Sequence, residues 1–501
     1  MLARKSTFAI ASDLTNALLG YVALYIIARL LNPAMYGLVV FATGFVALMT
    51  LYGDLGFDSA HIKYVSSGED QAQCTSVYLT VEMALLFIDV LVIIVALFIW
   101  QVVFNKGFES ADTQMVVYII LLSTIFRGLA VPFLGVYTAK REIVKVKFAT
   151  LAGTIIRLSG IVLVGLLHLG IFMFAFVYVA EGATIFIFAV LFFRGHKLAF
   201  PKKRYFKLYY SFAIPMAFAG FFGVAITNFS PVIIQLCFSS ATVGYYSAAY
   251  RVITVLGIFT GSLGVLLFPT LSSLHSSGDM QGMRDLICDS ERYLSMIAFP
   301  LIFATMALAI PISFVLLAGW MPAAAILQII PLCFLFSSIE QPYTGQLLGS
   351  NNPKFMRNKM FIAFCINIGL CILLVPRDLF GTHLAGLGGV GAAIALVSSS
   401  FASWLYSRTM SRRILPGIKI NKCILLHAGC AGFLALVVYY LTTVVSITHW
   451  YSLIGIALLY FCSYLGLLVL FKEFTKKDLT LMISMLDIRK LYQYAKDEIK
   501  K

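Results

Sequence analysis

Long apolar runs, separated by short clusters rich in Lys and Arg, recur along the whole chain. A run of roughly 20 apolar residues crosses the hydrocarbon core of a bilayer as a helix. Fourteen such spans are expected, at about 8–30, 35–57, 76–104, 114–138, 143–167, 171–193, 208–229, 243–268, 293–318, 323–348, 358–375, 384–407, 422–445 and 450–471. The runs are continuous and not alternating, which excludes a transmembrane barrel. The first run holds Asp13 and Asn16, is too long for a signal peptide and is followed by no small-residue cleavage site, so it is read as a retained span.

Composition agrees with the pattern. The chain is 61% hydrophobic and 12% charged, with mean hydropathy +0.94. A bilayer offers backbone groups no hydrogen bonds, so continuous apolar spans must be helices, and an all-α polytopic membrane protein is expected. The Lys and Arg positions orient it. With the N-terminus in the cytoplasm, the inner loops hold Arg4, Lys5, Lys63, "AKREIVKVK", "RGHKLAFPKKRYFK", Arg284, Arg292, "NPKFMRNK", "SRTMSRRILPGIKINK" and a basic tail. Outside lie Lys106, Arg377 and, at the edge of the first span, Arg29. The expected location is the cell (plasma or inner) membrane with both termini cytoplasmic. The net charge of +15 then forms a belt facing anionic headgroups, and no nucleic-acid partner is needed to explain it. From Asp478 the tail places Leu479, Met482, Ile483 and Leu486 on one face, fitting a helix that lies on the inner leaflet or docks on the bundle.

Motifs for other chemistry fail on context. The nine cysteines are scattered without CxxC or Cys/His spacing, so they are read as packing residues and no metal is expected. "GLGGVG" from Gly386 opens a span with no strand before it, which does not fit a dinucleotide site, and no P-loop is present. No catalytic residue and no cofactor is expected beyond a coupling proton or sodium ion.

The chain repeats itself. "VPFLGVYTAKREIVKVKFATLAGTIIR" from Val131 matches "QPYTGQLLGSNNPKFMRNKMFIAFCIN" from Gln341, pairing Pro132 with Pro342 and Gly135 with Gly345 at an offset of 210. "NPAMYGLVVFATGF" matches "SSATVGYYSAAYRV", and "YGDLGF" (Gly53, Gly56) matches "TGSLGV" (Gly261, Gly264). Spans 1–6 and 7–12 are therefore two copies of one six-helix unit, and an even span count makes them parallel. The organisation expected is a lobe at 1–200, a second at 201–410, two extra spans at 411–471 and a basic cytoplasmic tail at 472–501.

Charges inside the spans are costly and mark function. The first lobe holds Asp13, Glu82, Asp89, Arg127, Arg157 and Glu181, and the second holds Arg251 and Glu340. Guanidinium groups bind two phosphate oxygens at once and stay charged. Arg251, Arg127 and Arg157 are therefore candidates to hold an anionic part of a substrate in an aqueous lumen. The alternative is pairing with Glu82, Asp89 or Glu181 to hold helices together, or of Arg251 with an acid such as Glu340. Asp13, Glu82 and Asp89 are the candidates for ion coupling. Asp54 and Asp58 read as solvated or capping residues, and Glu340 as a partner for backbone freed by Pro342.

"ARLLNPAMYGLVVFATGF", "YGDLGFDSA", "SSATVGYYSAAYRV", "PYTGQLLGSNNPK" and "LGGVGAAIALVSSS" resemble the polysaccharide flippases of the multidrug/oligosaccharidyl-lipid/polysaccharide (MOP) superfamily. The resemblance implies a MATE-like fold of two six-helix lobes. It implies movement of an oligosaccharide linked to a polyprenyl (pyro)phosphate from the inner to the outer leaflet, by alternating access through a cationic central cavity. Its partners would be that lipid-linked oligosaccharide, membrane lipids and other polysaccharide-assembly proteins. Two rivals remain: an ion-coupled exporter of organic cations from the same superfamily, and a membrane polysaccharide polymerase or ligase. The second rival needs a sizeable outer loop, and the outer loops here are short.

Overall fold

The computed structural model describes residues 2–50, 56–66, 68–99, 101, 108, 110–140, 142–194, 198–254, 257, 267, 270–349, 353–379, 381–418, 423–445, 447–475 and 478. It is almost wholly helical. The first helices are α1 (Leu2–Leu30), α2 (Pro33–Met49), α3 (Phe57–Ser66), α4 (Gln71–Phe98), α5 (Ala111–Ala139), α6 (Ile143–Leu166), α7 (Gly170–Leu191) and α8 (Lys203–Cys237). There follow α9 (Ser240–Thr254), α10 (Met280–Ala307), α11 (Ala309–Val315), α12 (Pro322–Leu327), α13 (Pro331–Gly349), α14 (Pro353–Leu374), α15 (Gly388–Ile414), α16 (Cys423–Val444) and α17 (Trp450–Leu470). The exception is a small hairpin before α15, in which Asp378 faces His383 and Leu379 faces Thr382.

Eleven described helices are long and apolar enough to cross a membrane, or twelve if the bent pair α10–α11 is one span. The expected second span corresponds to α2, which is shorter at 17 residues, and the eighth to α9, whose continuation lies largely outside the described residues. Large apolar side chains such as Leu425, Leu436, Leu458 and Leu470 point outward. In an aqueous protein that would be a liability, but here the solvent for that surface is lipid.

The repeat reappears as helix boundaries. Pro33 and Ser240, Gln71 and Met280, and Ile143 and Pro353 open corresponding helices, at offsets of 207, 209 and 210. Local chemistry is repeated too. Asp70 caps α4 by accepting from the Ala72 amide at 2.9 Å, and Asp279 caps α10 by accepting from the Gly282 amide at 2.8 Å. Each satisfies amides that a helix start leaves without intrahelical partners. Before each cap stands a glycine with positive φ, Gly68 at 88° and Gly278 at 75°, a conformation that suits a residue without Cβ. Pro132 and Pro342 both lie within their helices, α5 and α13. The glycines of "YGDLGF" and "TGSLGV" lie outside the described residues except Gly56.

The described residues form two compact units, divided between Val232 and Ile233. The division falls inside α8, later than the sequence boundary at 200/201. The reason is packing: Tyr205, Tyr209 and Ala213 at the start of α8 are buried with Phe57, Cys74, Val77, Tyr78 and Val136 in the first unit's core. Tyr209 also meets His61 Nδ1 at 2.8 Å, and the His61 ring stacks on Tyr78 with centroids 4.3 Å apart.

In the second unit the two added helices pack on the repeat. Cys430 and Ala431 of α16 and Tyr464 and Leu468 of α17 share a core with Met296, Phe299 and Ile302 of α10. An ionic knot joins the segment after α17 to α10. Arg292 of α10 donates through Nε to Glu473 at 2.6 Å and through Nη2 to Asp478 at 2.8 Å. It also donates to the Glu473 carbonyl at 2.6 Å, while Tyr293 donates to Asp478 at 3.0 Å. The start of the expected amphipathic tail is thus tied to α10 at Asp478. Its apolar face, from Leu479 onward, lies outside the described residues.

The Arg292 bonds hold the Asp478 carboxyl well below the usual carboxylate range. A depressed value means stabilisation that is full above the ordinary aspartate pKa of about 4 and is lost as the pH falls below it. Arg292→Ala strands two acids, and breaking a buried pair of this kind costs about 3–5 kcal/mol. A clear drop in unfolding temperature at pH 7 is expected, together with protease cutting after residue 470. Asp478→Asn should remove part of the wild-type loss between pH 4 and pH 2, whereas an unchanged acid profile would dissociate this pair from stability.

Candidate functional site

The densest charge chemistry within the spans lies in the first unit, where α5, α6 and α7 meet. Two glycines allow the approach. A Cβ at Gly182 would lie 3.0 Å from the Ser123 carbonyl of α5 and 3.3 Å from Arg127 Cγ. A Cβ at Gly153 of α6 would lie 2.6 Å from Ile185 of α7. With the backbones this close, Glu181 of α7 is reached from both sides. Arg127 Nη2 stands 2.5 Å from Glu181 Oε2, and Arg157 Nη1 stands 3.1 Å from Oε1. One carboxylate therefore carries two guanidinium groups. Their side-chain exposures differ: 5% for Glu181, 16% for Arg157 and 44% for Arg127. Arg157 is a largely covered tie, while Arg127 keeps a face open.

That face borders a cavity of about 470 Å³, whose described lining includes Thr50, Asp58, Glu82, Asp89, Arg127 and Asn228. Glu82 and Asp89 stand two turns apart on one face of α4, as their seven-residue spacing predicts. Both are buried, and Asp89 Oδ1 has no hydrogen-bond partner. Asp58, in the first turn of α3, accepts a hydrogen bond from the Tyr78 hydroxyl. It is a wall residue of the cavity and not the solvated or capping residue expected. The described lining thus presents three carboxylates and one arginine, whose partner Glu181 is shared with Arg157. An arginine-dominated lumen was expected; in this unit the charge balance is acidic.

The other candidates are not among the described lining of this cavity. Asp13 is exposed and pairs with Lys147 of α6 at 2.5 Å. Arg251 ends α9 in the second unit with an exposed side chain, and its carbonyl accepts from Thr254 at 2.7 Å. Glu340 does not serve backbone freed by Pro342. Its carboxylate takes Lys359 at 2.6 Å, Ser407 at 2.6 Å and Ser403 at 3.2 Å. Two serines one turn apart on α15 and a lysine from α14 outcompete the local backbone because they bring charge and free donors.

The sequence reading missed one acid of consequence. Glu291 sits eleven residues after the first residue of α10, as Glu82 does in α4, and it is fully buried. It accepts from Tyr343 and lies 3.8 Å from Arg408, which also stacks near Trp404. The expectation that the second lobe holds only Arg251 and Glu340 is corrected by this pair. Aligning the Asp70 and Asp279 caps would have found it. Among the described residues no group of three or more His, Cys, Asp or Glu is arranged to hold a metal, and the nine cysteines stand as free thiols.

Comparison with known proteins bears on this site. A family model described as "Polysaccharide biosynthesis protein" matches residues 26–325. An uncharacterized membrane protein of Methanocaldococcus jannaschii is 23% identical over 201 residues, covering 40% of this chain and 36% of that relative. The match thus spans about a third of that relative's length. Among solved structures, the lipid II flippase MurJ in an inward closed conformation superposes with TM-score 0.68 at 16% identity, over 92% of this chain and 98% of that one. An inward-facing multidrug resistance MATE transporter of the MOP superfamily gives TM-score 0.65 at 12% identity, over 79% and 95%. At these identities the likeness is one of fold alone.

The geometry orders the cost of removing each member of the ionic cluster. Glu181→Ala strands two arginines, Arg157→Ala removes the largely covered partner and Arg127→Ala the half-exposed one. Losses of about 3–5 kcal/mol attend a broken buried pair, and less where water screens it. Thermal unfolding in detergent should rank the losses Glu181 above Arg157 above Arg127. Equal losses for all three would remove the unequal burial as their cause.

Proposed function

We propose that the chain, which belongs to the polysaccharide biosynthesis protein family, is a flippase that carries a lipid-linked oligosaccharide from the inner to the outer leaflet. Its substrate would be built on a polyprenyl (pyro)phosphate and would serve surface glycan assembly. The observation that carries this reading is the polar, charge-lined cavity enclosed by helices of a multi-pass protein of this family. Sugar hydroxyls cannot enter hydrocarbon without losing their hydrogen bonds to water. A cavity lined by Thr50, Thr124, Asn228 and carboxylates supplies replacements while the lipid tail stays in the bilayer.

The rest of the proposal follows from that task. The movement breaks no covalent bond, so the protein acts as a transporter and not an enzyme, without a bound cofactor. A proton or sodium gradient supplies direction, with Asp13, Glu82 and Asp89 as the carriers to test. The protein resides in the plasma or inner membrane with both termini cytoplasmic, beside other polysaccharide-assembly proteins. Arg251 in the second unit and Arg127 in the first are each candidates to meet anionic groups of the substrate, and Arg157 steadies Arg127 through Glu181. A second reading, export of organic cations, draws support from the acidic lining of the cavity.

Reconstituted vesicles carrying a fluorescent polyprenyl-diphosphate oligosaccharide test both readings. The wild-type protein should flip the lipid and leave the uptake of an organic cation such as ethidium at background. Lysine keeps the charge of Arg251 but not its fork, and alanine keeps neither. Flipping should therefore fall in the order Arg251, Arg251→Lys, Arg251→Ala, at unchanged thermal stability. Ethidium uptake without flipping would reverse the order of the two readings.

A further inference from the structure

The cavity of the first unit carries chemistry that a phosphate does not use. Arg127 is held by Glu181 at 2.5 Å, and Glu181 is shared with Arg157, so this cluster keeps one net positive charge at one side of the cavity. Asp89 is the opposite case. It is 4% exposed, lines the cavity, and its Oδ1 has no hydrogen-bond partner. Burying an ionised carboxylate without partners is costly, and a ligand bearing N–H donors removes that cost. Seven residues before it on the same face of α4, Glu82 adds a second buried carboxylate. A ligand reaching both must bring positive charge.

Size separates the candidate ligands. A water molecule occupies about 30 Å³ in the liquid, and a dehydrated monovalent cation needs a site of that order. The cavity, at about 470 Å³, falls instead in the range of roughly 300–1,000 Å³ that organic ligands occupy. Its remaining walls suit a sugar. Thr50, Thr124 and Asn228 offer hydroxyl and amide groups, and Phe221 offers an apolar ring.

We propose that this cavity binds an amino sugar of the substrate head group, its ammonium held by Asp89, with the Glu82 charge two turns away adding to the attraction, and its hydroxyls by Thr50, Thr124 and Asn228. The inference rests on the flippase reading and narrows it: the glycan carried contains a free amino group near its lipid end. N-acetylation would abolish the charge and add bulk, so the site discriminates between the two forms of one sugar.

Calorimetry on the full chain in nanodiscs tests this with geranyl-diphosphate-linked glucosamine, its N-acetyl form and geranyl diphosphate alone. A charge-assisted hydrogen bond warrants at least about tenfold tighter binding of the amino form at pH 7. Asp89→Asn should erase that preference while the N-acetyl form binds as before, and 100-fold excess sodium chloride over ligand should not. Glu82→Gln, read beside a thermal unfolding curve for each variant, decides the matter if Asp89→Asn does not fold. Equal binding of the two sugars by the wild type, or a preference that survives both substitutions, overturns the amino-sugar site but leaves the flippase reading standing. Loss of the preference to sodium assigns the cavity to an inorganic cation and also overturns it. If neither sugar binds better than geranyl diphosphate, the flippase reading falls as well.

Discussion

A charge inside a bilayer must be neutralised within the protein, and the first unit is organised around that constraint. Glu181 ties two arginines that would each be expensive alone, and the positive charge left over falls to Arg127, the one with a face open. The arrangement dictates the helix packing around it. Gly153 and Gly182 are small because three backbones must come close enough for one carboxylate to serve two guanidinium groups. It also dictates what is left over. With Arg127 tied from behind, the character of the cavity passes to Glu82, Asp89 and Asp58.

The second unit meets the same constraint with different residues. Glu340 is neutralised by Lys359 and supported by Ser403 and Ser407, and Glu291 by Tyr343 and Arg408. Glu82 and Glu291 occupy one position of the repeat, so an acid at that depth belongs to the shared scaffold. Asp89 has no such counterpart, since the same step along α10 brings Ala298. The acid common to both copies marks the shared scaffold, and what differs, Asp89 foremost, is where binding specificity is expected to lie. The added helices α16 and α17 obey the rule as well, with Arg292 neutralised by the acids that follow them.

Much of the architecture was legible because lipid leaves few alternatives to helix. The apolar runs located the spans, and the matched proline and glycine positions located the repeat. The short spans were harder, since α2 stops at Met49 and resumes as α3 at Phe57, where the sequence reads as nearly continuous. The site was legible in its membership and not in its pairing. Arg127, Arg157, Glu181, Glu82 and Asp89 all stood out as intramembrane charges. Which acid met which arginine depended on helix approach set by Gly153 and Gly182, and sequence spacing within single helices cannot report that. Lys359 reads as a loop residue because the helix that carries it begins earlier than its apolar run. Glu291 was passed over for the same reason.

The central claim is that the charged cavity of the first unit is a water-reachable binding site and not a sealed structural knot. Cysteine accessibility in membranes tests it directly, using Thr124→Cys in a chain whose nine native cysteines are replaced. A small cationic thiol reagent should label Thr124→Cys, and lipid-linked substrate should protect it, while Asp89→Asn should slow the labelling by weakening the acidic field. Labelling that is absent from both faces of the membrane, with the protein folded, would contradict the account.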